Sequence, residues 1–136
     1  MKNKTKNEEE FDAFLDSIGG LVNGYYTDRI ITSSDFCECG DGWLPLIKEL
    51  IEKSISAGWD KQICQIKSKF GGLRFYINYA NEDVYQIISE YELKSLSVCE
   101  ECGAPGKLTR SKSGWLTALC DEHMKETDTV VEWSHK

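Results

Sequence analysis

The chain has 136 residues and a mass of 15.5 kDa, room for one compact domain with a small appended module. A content of 40% hydrophobic and 11% aromatic residues excludes wholesale disorder, and a net charge of −7 argues against a generally basic nucleic-acid-coating protein. No apolar run approaches the roughly 18 residues of a membrane-spanning helix.

Residues 1–10 are polar and read as a disordered lead-in without the apolar stretch of a secretory signal. A cytoplasmic setting and no membrane partner are therefore expected, and there six cysteines serve better as metal ligands and free thiols than as disulfides. An amphipathic helix follows from Glu8, with Phe11, Phe14, Leu15 and Ile18 at three- and four-residue spacing, and Gly19-Gly20 stops it. In residues 21–42 Tyr25, Tyr26, Ile30 and Ile31 are compatible with a short strand, and Thr32 to Asp35 read as loop. A second helix carries Leu46, Ile47, Leu50, Ile51 and Ile55, with Pro45 in its first turn and Gly58 at its end.

The period then changes to two. Leu73, Phe75, Ile77 and Tyr79 alternate with Arg74, Tyr76 and Asn78, and residues 61–69 form the partner strand through the turn Phe70-Gly71-Gly72. Asn81 is an N-cap for a third helix whose inner stripe is Val84, Ile87, Ile88, Tyr91 and Leu96. Trp43, Leu46, Leu50, Phe75, Ile77 and Ile88 are expected to share one core. The fold class is α+β: a small antiparallel hairpin sheet packed by about three helices, followed by a C-terminal zinc-ribbon module. The expected divisions are 11–97 for the α+β domain, 98–126 for the ribbon and 127–136 for a tail.

Cys99, Cys102, Cys120 and His123 give the spacing C-x2-C-x17-C-x2-H, two knuckles joined by a loop long enough for a hairpin. Gly103 suits the knuckle turn, and residues 107–110 and 115–119 read as the two ribbon strands. Three thiolates and one imidazole fill a tetrahedral sphere and leave no position for an activated water, so one structural zinc is expected. Cys64 reads as a core residue and Cys37 and Cys39 as loop thiols, while a second metal site borrowing His135 would need a further ligand.

Charge is segregated. Residues 61–80 carry Lys61, Lys67, Lys69 and Arg74 without an acid, and residues 103–119 carry Lys107, Arg110 and Lys112 without one. With Tyr76 and Trp115 beside them, Lys67, Lys69, Arg74 and Arg110 are the candidate binding residues for an anionic partner. Alternatively, those lysines protect a solvated strand edge. No nucleophile elbow, P-loop or dinucleotide fingerprint occurs, so no catalytic residue is assigned and an enzyme is not expected.

Gly40-Asp-Gly-Trp43-Leu-Pro-Leu-Ile47, Lys69-Phe-Gly-Gly-Leu-Arg-Phe-Tyr76 and the Cys99 to His123 module together resemble a family of small bacterial and phage proteins. The resemblance spans about residues 40–124, implies that hairpin and ribbon form one unit in a mobile-element setting, and adds no catalytic residue. The expected function is a non-enzymatic, zinc-stabilised binding protein, a phage or mobile-element accessory that sequesters or caps a protein or small anionic ligand. A nucleic-acid-binding zinc ribbon and an immunity-type inhibitor of a basic toxin are the alternatives.

Overall fold

A computed structural model describes residues 3–25 and 29–131. Tyr26 and His135, named above as strand and metal candidates, lie outside the described residues.

Helix α1 spans Lys6–Ser17 and starts inside the stretch expected as lead-in. The cause is a capping box. Thr5 Oγ1 accepts from the Glu8 amide at 3.1 Å, while the Glu8 carboxylate accepts from the Thr5 amide at 2.8 Å. At the other end, Gly19 and Gly20 take φ of 78° and 80°, and Lys61 Nζ donates to the Ile18 carbonyl at 2.7 Å. Helix α2 spans Leu44–Ser56 with Pro45 in its first turn, and α3 spans Glu82–Ser95, with the Asn81 side chain accepting from Val84 N at 3.0 Å.

Strands β1 (Leu21–Asn23), β2 (Ile30–Ile31) and β3 (Cys37–Glu38) precede α2; β4 (Gln62–Lys69) and β5 (Gly72–Ile77) follow it. The expected hairpin is β4–β5, and the three short strands widen it into a mixed five-stranded sheet. β4 is the hub. It pairs antiparallel with β5 along its length, and in parallel with β1 at Gln62 and Ile63 and with β3 at Ile66 and Lys67. Ile30 and Ile31, two residues of the short strand expected there, form β2, whereas β1 and β3, of three and two residues, carry no readable alternation. Tyr25 falls outside β1 and is exposed.

The core is shared by Phe11 and Leu15 of α1, Ile47, Leu50 and Ile51 of α2, Ile63 and Ile66 of β4, Leu73 and Phe75 of β5, and Val84, Ile88 and Tyr91 of α3. Trp43, Leu50, Phe75 and Ile88 are buried as expected, and Phe75 meets Trp59 edge-on at 5.5 Å between ring centres. Leu46 and Ile77 reach the core only partly buried. On the outer side of β5, α3 supplies the missing acceptors: Leu73 N donates to Ser95 Oγ and Phe75 N to the Glu92 carboxylate, each at 2.9 Å.

The β4–β5 turn has two central residues, Phe70 at φ 54° and Gly71 at φ 82°, the signs of a type I′ turn. Gly72 belongs to β5. A left-handed phenylalanine costs about 1–2 kcal/mol relative to its ordinary conformation.

The cysteines differ from expectation. Cys64 is the extra residue of a β-bulge between Ile63 and Gln65, and its Sγ lies 3.1 Å from Asn78 Oδ1 instead of entering the core. Cys37 and Cys39 are the pair packed against the core. Burial pushes the Cys37 thiol up to about 12 and Cys39 higher still.

The C-terminal module is a three-stranded antiparallel sheet of β6 (Lys107–Arg110), β7 (Leu116–Leu119) and β8 (Thr129–Val130), ordered β7-β6-β8. It therefore extends past residue 126, because Thr129 and Val130 pair with Arg110 and Thr109 in the region expected as tail. No helix among the described residues is long and apolar enough to cross a membrane.

Candidate metal centre and the adjoining cationic surface

Two tight turns present the four ligand atoms. In the first, Gly103 N donates to the Cys99 carbonyl and Cys99 N to the Ala104 carbonyl, both at 2.8 Å, with Gly103 at φ 84°. In the second, His123 N and Met124 N donate to the Cys120 carbonyl at 3.1 and 2.9 Å. A backbone bond from Glu100 N to the Ala118 carbonyl at 2.9 Å ties the first turn to β7.

The result brings Cys99, Cys102, Cys120 and His123 together with all ligand atoms within 4.8 Å of one another. His123 Nδ1 lies 3.2 Å from Cys120 Sγ and 3.7 Å from Cys99 Sγ, and Cys102 Sγ lies 3.7 Å from Cys120 Sγ. A tetrahedral ion bound at about 2.3 Å by sulfur and about 2.0–2.1 Å by nitrogen separates its ligands by about 3.5–3.8 Å. The cluster is therefore compatible with one metal site. The hydrogen bond with His123 chiefly draws the Cys120 thiol down, whereas the Cys102 thiol beside it is pushed up, against the Ala104 amide, by burial and by the Cys120 and Cys99 thiols.

The first knuckle is seated on the α+β domain by contacts that the sequence did not assign, those of Glu100 with Gly40, Gly42 and Ser68 and that of Val98 with Trp43. Glu100 accepts from Gly42 N through its backbone carbonyl at 2.9 Å. Its carboxylate accepts from Gly40 N at 2.8 Å and Ser68 Oγ at 3.2 Å. The Trp43 indole donates to the Val98 carbonyl at 2.9 Å. A Cβ on Gly42 would stand 2.5 Å from both Cys102 N and Cys99 O. The sequence signal was the pair of glycines in Gly40-Asp-Gly42, which permits this close approach of two backbones. On the far side Asp41 ties the seat to α1, accepting from Thr5 Oγ1 at 2.8 Å and, through its carbonyl, from Asn7 Nδ2 at 3.1 Å.

Of the candidate binding residues, Lys67 and Arg74 stand directly opposite each other across β4–β5, on the face away from Ile66 and Phe75. Tyr76 continues that face opposite Gln65 and is 41% exposed. Lys69 lies at the turn with its ammonium 5.6 Å from the Phe70 ring centre. Among the described residues, no carboxylate lies within ion-pair distance of Lys67, Lys69 or Arg74. On α3, Glu90 pairs with Lys94 at 3.7 Å, and Glu92 is the acid that feels the charge of Arg74. Arg110 and Trp115 are exposed at the end of the ribbon hairpin, and no hydrogen bond among the described residues joins them to the β4–β5 cations. The two modules nevertheless touch: a Cβ on Gly71 would lie 3.3 Å from Leu116.

No family model, curated protein or solved structure matches this chain.

Proposed function

We propose that the protein is a non-enzymatic binding module, stabilised by one structural zinc ion, that caps or sequesters an anionic partner through the outer face of the β4–β5 hairpin. Zinc is favoured by the donor set, since three thiolates and an imidazole at tetrahedral separations suit it better than harder cations. The ion would fold a ribbon too small to hold a core of its own.

One observation carries the binding assignment: Lys67 and Arg74 face each other across the strands, and among the described residues no carboxylate comes within ion-pair distance of either, although Glu38 of β3 is the cross-strand neighbour of Lys67 and Glu92 of α3 feels the charge of Arg74. Like charges placed directly opposite destabilise a sheet by up to about 1 kcal/mol, and an anion offsets that cost. Tyr76 adds a flat aromatic surface next to them, and arginine offers paired donors to a carboxylate or phosphate.

The test compares the parent with the Lys67→Gln, Arg74→Gln double variant. Melting temperature of the free protein should hold or rise while retention of polyglutamate or oligo-dT falls. A drop in melting temperature with unchanged retention of both polymers would assign these cations to the scaffold. A second reading rests on the groove between α1 and α2, where Glu10 and Glu52 line adjoining cavities of about 580 and 410 Å³ and Glu49 the smaller one, outnumbering the Lys48 that lines both even though Glu10 and Glu49 also pair with Lys6 and Lys53. That acidic groove suits a basic protein, as an immunity-type inhibitor would require.

A further inference from the structure

Beside the hairpin turn lies a groove of about 370 Å³ formed by three separate parts of the fold. Its apolar floor is Leu93 and Leu96 of α3 with Leu108 of the ribbon, and its rim carries Lys69, Phe70 and Arg74. Leu93 is 48% exposed and Phe70 is 72% exposed, so each presents apolar surface that folding leaves in water. The left-handed backbone at Phe70 strains the turn without burying the ring, although glycine or asparagine would form the same turn without loss. Glu92, the carboxylate lining the groove, is engaged by the Phe75 amide.

We propose that this groove docks an acidic peptide segment bearing an aromatic or branched aliphatic anchor, the anchor resting on Leu93, Leu96 and Leu108 and the adjacent carboxylate meeting Arg74 and Lys69. The inference rests on the reading of the hairpin as an anion-binding face and names the class of its partner. Charge complementarity sets the sign of the occupant, because the two rim cations outnumber the one acid of the groove, Glu92, and among the described residues neither has a carboxylate within ion-pair distance, although Arg74 favours the charge of Glu92. The aliphatic floor sets its kind: three leucines fit a side chain, whereas bases need aromatic faces to stack upon. Strand addition to β5 is unavailable, since the outward amides of Leu73 and Phe75 are already bonded to α3. Leu108 makes the groove depend on the metal-bound ribbon.

Fluorescence anisotropy of the full, zinc-loaded chain is measured with labelled short peptides in three pools: acidic with Phe or Leu, acidic alone, and Phe or Leu alone. Labelled oligo-dT is the fourth probe. The mixed pool should bind tightest, and Leu93→Asp and Arg74→Gln should each weaken it by about tenfold or more. Leu93 is a surface position, so its variant should keep the parent's melting temperature and zinc content, both measured alongside. Mixed-pool affinity indifferent to Leu93→Asp overturns the groove; if acid-only binding still needs Lys67 and Arg74, the broader anion-binding reading stands. Preferential binding of oligo-dT, insensitive to Leu93→Asp, also overturns the peptide assignment. Retention of none of the four probes overturns both readings.

Discussion

Gly42→Ala tests whether the metal knuckle is seated on the turn before α2. Gly42 has no positive φ, so the cost of a methyl group there is one of space. Its carbon would stand 2.5 Å from Cys102 N and Cys99 O and 2.6 Å from Glu100 O, where ordinary contact begins at 3.4 Å. All three are backbone atoms of the knuckle that positions two ligands, so relief requires moving the knuckle by about an ångström. Overpacking of this kind costs about 1–3 kcal/mol. Stretching the bond from Gly42 N to the Glu100 carbonyl adds about 0.5–1.5 kcal/mol. Reduced freedom of the unfolded chain returns about 0.4–1 kcal/mol. A net loss of about 0.5–4 kcal/mol, centred near 2, is expected in urea unfolding of the metal-loaded protein, together with weaker metal retention against a chromophoric chelator. A variant within about 0.5 kcal/mol of the parent, holding its metal equally well, would refute the seat.

If the proposed zinc ion is bound, Cys120→Ser should abolish the zinc measured by elemental analysis in the parent, because the second knuckle then keeps only the imidazole; undiminished zinc would exclude this ligand set. Glu92→Gln should alter the pH dependence of stability. Burial raises the Glu92 carboxyl above the ordinary glutamate value, against smaller opposing effects of the Phe75 amide and Arg74. A carboxyl raised in the folded state contributes stability that is complete below its unfolded value and lost as pH rises through the folded value. The variant, which keeps an acceptor for Phe75, should therefore gain on the parent as pH rises above the ordinary glutamate value of 4.5, and a flat or falling difference curve in chemical denaturation would contradict that sign.

Long periodic segments and paired ligands were legible in the sequence; contacts between distant segments were not. The stripes of α1, α2 and α3, the alternation from Leu73 to Ile77 and the four ligands each follow a local spacing that physics ties to a face or a knuckle. Thr5 and Glu8 form a capping box visible in sequence, and weighing it against the polar composition would have started α1 at the right place. By contrast, β1 and β3 exist because β4 offers them hydrogen bonds, and β8 because β6 does. Glu100 looked like a solvated residue between two cysteines. Its role depends on Gly40, 60 positions earlier, and on Ser68, 32 positions earlier, and no local pattern announces that.

The bonds from α3 to the rim of β5 have a consequence for assembly. An unpaired strand edge is a template on which another chain can continue the sheet. Here the template is closed by two side chains one helical turn apart, Glu92 and Ser95, in the last turns of α3. The opposite side ends in β2 and β3, each only two residues long, which offer little to build upon. Protection of the sheet therefore depends on the end of a helix rather than on the strand itself. Fraying there would expose Leu73 and Phe75 amides together, so a lesion in the last turns of α3 should first appear as concentration-dependent polymerisation, before any loss of metal or of the hydrophobic core.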